Sequence, residues 1–442
     1  MCKKIVSLLL VTAMVLGLSA CAGGEDKKQS SGAGKNAAGE DQNAAGEDQN
    51  TAGAEQNAAG GEASAEVLHL WHYWDSEVQQ GLLQEMVDNY QKDTGGPKIE
   101  ISYIPYSEYI QKILVTAAGG DLPELFIYDG NSTATLAEAG VLADITEKVE
   151  ESGVMKTTLP GVVAEHEVGG RMYGFPVYAN CLALFYRTDL IETPPTTWME
   201  LYETAKSVAG PDLYGFAMAG GAGEDAVFQY LPFVWSAGAD LDDLAAKGAV
   251  EPLALFAKMI DEGIMSKDTV NHSQEDAEIL FETGRTAMMI NGPWNVPPIQ
   301  ENAPELKWDV AMIPRADDGA FASILGGESF GIGNNTNVDA IWDFVEYMME
   351  PDRYAEFLKG LGQLPADTVL SEDAYYQEDP INRVFIEQLK SAKPRAYGPQ
   401  YNEMSKAIQR AISAAMTGEQ TAQEALEEAK EVVTPLYNAF FK

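Results

Sequence analysis

Cysteine is scarce in this chain: three occur in 442 residues, at positions 2, 21 and 181. Two of them fall within the first 21 residues. Cys181 therefore stands alone in the body of the protein, where it reads as a small buried hydrophobe and no intrachain disulfide is expected. Basic residues are also few, 29 Lys and Arg against 68 Asp and Glu. So large an acidic excess repels a phosphate backbone, which excludes nucleic-acid binding, while it favours solubility at an exposed surface. Only four histidines occur. His69 and His72 lie three apart in a strand-like segment, so they point to opposite faces. With no cysteine nearby and no other close histidine pair, no metal site is expected. A long apolar run is missing too. The stretch from Ile5 to Leu18 is interrupted by Ser7, Thr12 and Gly17, and it is shorter than the roughly 20 apolar residues that span a membrane.

What that N-terminal stretch does have is order. Lys3 and Lys4 precede the apolar run, and Leu18-Ser19-Ala20 follow it. A basic start, an apolar core and small residues make a secretory signal, expected at residues 1–20. Leu18-Ser19-Ala20-Cys21 resembles the lipobox of bacterial lipoproteins. That resemblance implies an acylated Cys21 and an exported chain anchored on the outer face of the cytoplasmic membrane. Residues 22–65 contain no aromatic residue and no Val, Ile, Leu or Met. Asn-Ala-Ala-Gly-Glu-Asp-Gln at 36–42 recurs at 43–49, with a degenerate copy at 50–56. The seven-residue period lacks the apolar a and d positions of a coiled coil, and the composition cannot offset the entropy of ordering. The segment at 21–65 reads as a lipidated cysteine followed by a disordered tether whose ends lie about 35–40 Å apart.

From residue 66 onward apolar and aromatic residues become frequent. Strands are expected at Val67–Tyr73, Lys98–Ile104 and Glu124–Tyr128, with helices at Glu77–Lys92, Tyr106–Ala118 and Ser132–Ala139. This alternation implies a mainly parallel sheet flanked by helices. In such sheets ligands bind beyond the C-terminal strand ends, here Trp74-Asp75-Ser76, Pro105-Tyr106 and Asp129-Gly130-Asn131. Further along, strand-like segments fall at 182–186, 286–290 and 308–313. A helix follows Thr197 as N-cap, another covers Asp339–Met349, and a capping box at Thr421 and Glu424 opens a last helix expected to break near Pro435.

Several motifs occur in one order along nearly the whole chain from residue 66. They are Leu68-His-Leu-Trp-His-Tyr-Trp74, Gly120-Asp-Leu-Pro-Glu-Leu-Phe-Ile-Tyr128 and Gly170-Arg-Met-Tyr-Gly-Phe-Pro176. Leu184-Phe-Tyr-Arg-Thr-Asp189 and Phe281-Glu-Thr-Gly-Arg-Thr-Ala-Met-Met-Ile-Asn-Gly-Pro-Trp294 follow, then Gly326-Gly327 and the Gly418–Leu426 segment. As an ordered set they resemble the extracellular solute-binding proteins of sugar-type ATP-driven (ABC) importers, the maltose-binding-protein relatives. The resemblance implies an α/β, two-lobed periplasmic-binding-protein fold of type II, with discontinuous lobes joined by hinge segments. It places one lobe at 66–177 and 314–350 and the other at 178–313 and 351–442. Crossings are expected near 176–180, 311–315 and 348–354. The partners it implies are a mono- or oligosaccharide and the permease subunits of an importer, with the protein a monomer.

A sugar offers apolar C–H faces and a fringe of hydroxyls, so its site combines aromatic platforms with carboxylates, amides or arginine. By matched motif the resemblance assigns ligand contacts to Tyr128, Asp129, Asn180 and Trp294. By local position Trp74, Asp75, Tyr106, Tyr178, Phe228, Trp235 and Glu328 join them, although Trp235 reads equally as core. Where the family carries a further late aromatic this chain has Ser405, and Tyr397 or Tyr401 is expected to substitute. Trp71, Trp198, Trp308 and Trp342 read as structural.

Other patterns point elsewhere. Gly327-Glu-Ser-Phe-Gly331 matches a hydrolase nucleophile elbow, but all four histidines precede Ser329, against the order that fold requires. Gly221-Ala-Gly-Glu-Asp-Ala226 imitates a dinucleotide loop, yet Glu224 and Asp225 would face the pyrophosphate. Neither an enzyme nor a cofactor is therefore expected. A polyamine receptor of the same fold is the standing alternative, because Asp75, Asp129 and Glu328 suit ammonium groups. Anions are disfavoured, since only Arg395 falls near the suspected site.

Overall fold

The computed structural model describes residues 67–442, so the expected signal, Cys21 and the expected tether lie outside the described residues. The strands are β1 (Val67–His72), β2 (Lys98–Tyr103), β3 (Leu125–Asp129), β4 (Glu167–Val168), β5 (Arg171–Met172), β6 (Phe175–Pro176) and β7 (Asn180–Cys181). They continue with β8 (Ala183–Arg187), β9 (Met288–Asn291), β10 (Trp308–Ala311), β11 (Ser323–Gly326), β12 (Glu328–Ile332) and β13 (Ala392–Lys393). A first sheet has the order β2-β1-β3-β12-β6. Its opening β1, β2 and β3 run parallel, and β12 is antiparallel to β3 and β6. A second sheet is β10-β8-β9 and a third is β13-β11-β7.

Local sequence explains the parallel part. Leu68, Leu70 and His72 alternate inward along β1 while His69 points out, as a period of two requires. The first helix, Glu77–Thr94, stops at Gly95, which adopts φ 69°. The helix Trp198–Val208 starts where the Thr197 side chain accepts from the Glu200 N–H, and the expected capping box at Thr421 and Glu424 is present. That last helix runs unbroken from Ala422 to Phe441 through Pro435. Pro435 is exposed, so water can serve the Glu431 carbonyl that loses its partner.

Apolar residues gather around each sheet. Leu70, Leu125, Ile127, Phe330 and Phe344 pack in the first half. The helix Glu224–Ser236 and the two C-terminal helices build a larger core around Phe233, Met404 and Leu426. Phe185, Phe281, Met289 and Phe385 pack on the other side of β8.

The chain passes between these halves in neighbouring strips. Phe175–Pro176 pairs within the first sheet and Asn180–Cys181 within the third. Returning, Ser323–Gly326 pairs in the third sheet and Glu328–Ile332 in the first. The two strips are tied together, since the Val177 and Tyr178 N–H groups donate to the Glu328 carbonyl at 2.8 and 3.4 Å. Gly327 makes the switch at φ 141°, and a Cβ there would lie 2.2 Å from the Tyr178 carbonyl, so only glycine fits. A third strip joins through mutual Ala179 and Leu364 bonds. These passages come later than the expected crossings at 311–315 and 348–354. Ala311 still pairs with Leu184 in β8. The helix Pro351–Leu361 still packs on Glu77–Thr94, with Leu82 within 2.9 Å of a Cβ built on Gly360. Strand pairing thus changes sheet at about 327, and the third strip begins after 362, where Gly327 and Gly362 supply the positive φ angles for the turns.

Candidate functional site

The C-terminal ends of β1 and β3 and the strips between the sheets bring a cluster of aromatic and charged side chains together. Trp74 follows β1 and lies almost parallel to the Tyr178 ring, with centroids 6.1 Å apart and planes at 23°. Tyr73 lies beside Tyr106 at 4.9 Å and Tyr109 at 5.1 Å. Its hydroxyl donates to Glu328 Oε1 at 2.9 Å. Burial, with Asp129 adding repulsion, pushes the Glu328 carboxyl up to about 7, against the opposing pull of the neighbouring tyrosine hydroxyls. With its proton held this far above the usual carboxylate range, the group can both donate and accept. Tyr106 keeps 40% of its surface exposed.

A second set of groups centres on Arg395, whose side chain is 1% exposed. Its Nη2 donates to both oxygens of Asp129 at 2.8 and 2.9 Å, and its Nη1 to Glu224 Oε1 at 2.9 Å. The Arg395 backbone N–H donates to Glu165 Oε1 at 2.9 Å, and the guanidinium sits 4.6 Å from the centre of the Phe228 ring. Glu224 also accepts from Tyr401 at 2.6 Å and from Ser405. Asp129 in turn caps its own turn by accepting from the Asn131 N–H at 3.3 Å and Nδ2 at 3.1 Å. A buried guanidinium needs such partners, because an unpaired charge out of water is costly. Burial pushes the neighbouring Glu165 up to about 8, against the pull of Arg395, and pushes Asp225 up to about 6.

Four polar atoms in this region are buried without a hydrogen-bond partner: Trp74 Nε1, Asn180 Oδ1, Glu328 Oε2 and Arg395 Nε. Asn180 and Phe228 face each other over Gly326, where a Cβ would lie 2.3 Å from Asn180 Oδ1 and 2.9 Å from the Phe228 ring. Buried polar atoms are nearly always satisfied in native proteins. Two donors and two acceptors left over beside aromatic faces suit a neutral solute rich in hydroxyls.

The structure thus brings Trp74, Tyr106, Asp129, Tyr178, Asn180, Phe228 and Glu328 into one neighbourhood. Others lie apart. Tyr128 is fully buried, with its hydroxyl 3.0 Å from Thr133 Oγ1 in the small core under β3, because alternation along β3 turns it away from Asp129's face. Trp235 and Tyr397 both donate to Asp240, at 3.2 and 2.5 Å, and belong to the larger core. Trp294 is half-buried and folds back on Gly292, where a Cβ would sit 1.9 Å from its ring. Asp75 is exposed; its charge reaches Glu278 on a helix of the other half. Tyr73, Glu165 and Glu224 adjoin the same cluster without being expected there. Tyr73 was the readable one, since it adjoins Trp74 on a strand end; Glu224 showed only as a misfit in a false dinucleotide loop.

The other patterns resolve structurally. Ser329 and His166 do meet, although the order of residues argued against it; the hydroxyl bonds the His166 Nε2, and His166 Nδ1 donates to the Val162 carbonyl at 2.5 Å. Both side chains are buried, 1% and 2% exposed, and burial pushes the imidazole down to about 4. Glu224 and Asp225 occupy the first turn of the helix Glu224–Ser236. Among the described residues no cluster of three or more metal-ligating side chains occurs. Cys181 is buried and donates weakly to the Phe385 carbonyl at 3.5 Å.

The family model of bacterial extracellular solute-binding proteins matches residues 85–384. The chain belongs to that family. As a solute-binding protein it is a receptor and not an enzyme. A putative binding protein of Brucella abortus is 26% identical over 341 residues, covering 73% of this chain and 81% of the relative. A maltooligosaccharide ABC transporter solute-binding lipoprotein of Streptococcus pneumoniae is 22% identical over 362 residues, covering 77% and 82%. Among solved structures, an ABC transporter solute-binding protein from Thermotoga lettingae bound with α-D-tagatose superposes with a TM-score of 0.78. It shares 23% identity, over 84% of this chain and 100% of the other. The two-lobed binding-protein fold expected from the sequence is thereby shown.

Proposed function

We propose that this solute-binding protein captures a neutral sugar between its two halves and delivers it to the permease subunits of an ABC importer, while held at the membrane by a lipid on Cys21. The observation that carries the sugar reading is the set of unpartnered buried atoms, Trp74 Nε1, Asn180 Oδ1, Glu328 Oε2 and Arg395 Nε, beside the rings of Tyr73, Trp74, Tyr106 and Tyr178. Hydroxyls donate and accept, so they satisfy both kinds of atom, and the rings offer faces for C–H groups. Relatives named for maltooligosaccharide and galactooligosaccharide, and a similar fold bound with tagatose, support the same class. The lipobox-like Leu18–Cys21 and the lipoprotein among the relatives support the anchor.

The polyamine reading draws on the carboxylates, which outnumber Arg395. Against it, Asp129 is already paired with Arg395 and Asp75 is exposed, which leaves Glu328, of those three, as the one carboxylate neither exposed nor paired with a cation among the described residues. A thermal-shift screen of mono- and oligosaccharides beside polyamines and amino acids tests the choice. A ligand at a hundred times its dissociation constant stabilises by about 2.7 kcal/mol. A shift with a sugar supports the reading, and a shift with spermidine alone replaces it.

A further inference from the structure

Arg395 links parts of the molecule that nothing else in the site links so directly. Asp129 ends β3 in the first sheet, whereas Glu224 opens the helix at the heart of the larger core in the other half. Arg395 itself follows β13 of the third sheet. The guanidinium is bidentate to Asp129 and single to Glu224, while its backbone N–H is fixed by Glu165. Next to it, Thr135 in the first half donates to the Pro399 carbonyl in the second at 2.9 Å.

We propose that Arg395 is a clasp that ties the two halves together. Its side chain is 1% exposed and the two carboxylates 15% each, so all three charges are withdrawn from water only while the halves stay together. Separating them strands the guanidinium from Asp129, and each charge must then find water. Removing the guanidinium reverses the balance. Asp129 and Glu224 become like charges held close in a poorly hydrated place, and moving the halves apart relieves both the repulsion and the dehydration. Arg395 is a positioning residue in this role. The clasp goes beyond the sugar reading, because it operates whatever solute the cleft receives.

Hydrogen exchange of the full-length protein without added ligand, followed by mass spectrometry, tests the clasp in three forms: wild type, Arg395→Met and Asp129→Asn. Asp129→Asn removes the charge from one half only and keeps the shape of the side chain. A clasp predicts that this change speeds exchange about tenfold or more, not only around residues 129–133 but also around 224–228 and 397–404, which Asp129 does not carry. Arg395→Met should accelerate the same three segments, and protection of β8 and β9 should be unchanged in both. Acceleration confined to the segment that carries each substitution overturns the proposal. If Arg395→Met exposes β8 and β9 as well, it has unfolded the second half, and the Asp129→Asn result alone decides.

Discussion

The hydroxyl of Ser329 is hydrogen-bonded to Nε2 of His166, whose Nδ1–H is committed to the Val162 carbonyl of its own helix. The imidazole is thereby neutral, fixed in one tautomer and sealed from water, which suits a core contact and gives a general base no substrate to reach. Ser329→Ala should produce no change in activity on a generic ester, and the wild type should show none. It should instead lower thermal stability by about 1–3 kcal/mol, because His166 Nε2 is left buried without a partner. Esterase activity abolished by the substitution would overturn the receptor reading.

Trp294 and Trp235 should separate cleanly. Trp235 is 3% exposed within the larger core, so Trp235→Ala should cost about 3–5 kcal/mol of stability. Trp294 is half-buried, packed on Gly292 and against the larger core, and its remaining surface is the proposed platform for a sugar face. Trp294→Ala should weaken binding of whichever sugar the screen returns by roughly ten- to a hundredfold, since about 1.5–3 kcal/mol rests on such a face. Calorimetric titration reads the affinity and ligand-free melting reads the stability. Retained affinity with a much lower melting temperature would move Trp294 into the core.

Stability should fall as pH rises from about 6.5 to 8. The carboxyls of Glu165 and Glu278 are pushed up to about 8, and that of Glu328 to about 7. In this window the folded protein holds more protons than the unfolded chain, so alkali favours unfolding. His72 and His166, both pushed down to about 4, contribute the opposite slope, but only below about 6.5. Glu165→Gln, which keeps an acceptor for the Arg395 N–H, should flatten the slope between pH 6.5 and 8. Its contribution is at most about 1.4 kcal/mol per pH unit. Melting temperature against pH for the two proteins measures it, and identical curves would contradict the assignment.

Cys21→Ser should release the protein into the medium, as detected by fractionation of cells producing it. Membrane retention equal to wild type would remove the lipid anchor from the proposal.

How much of this was readable in the chain depends on distance along it. Alternation in Val67–His72 and the cap at Thr197 are local signals, and the corresponding elements appear as expected. Asp129 and Trp74 are expected at the site because strand ends are where α/β sheets place ligands. The Arg395 node was illegible as a node. Its charges lie 266 and 171 residues apart, and each alone looks like one acid among many or a stray base. The turn at Gly327 hid for a related reason. A glycine pair in an apolar stretch reads as strand, and only the closeness of the Tyr178 carbonyl shows that the backbone must swing there.

The strips that join the halves constrain how the molecule can move. Val177–Ala179 and Gly326–Glu328 run antiparallel and are bonded edge to edge, with Leu364 bonded to Ala179. A ribbon of this kind is stiff across its width and compliant across its thickness. The halves should therefore swing about a single line through Gly327, like a book on a cloth spine, with little freedom to slide past each other. Trp74 and Tyr178, stacked at that line, would stay together through the swing.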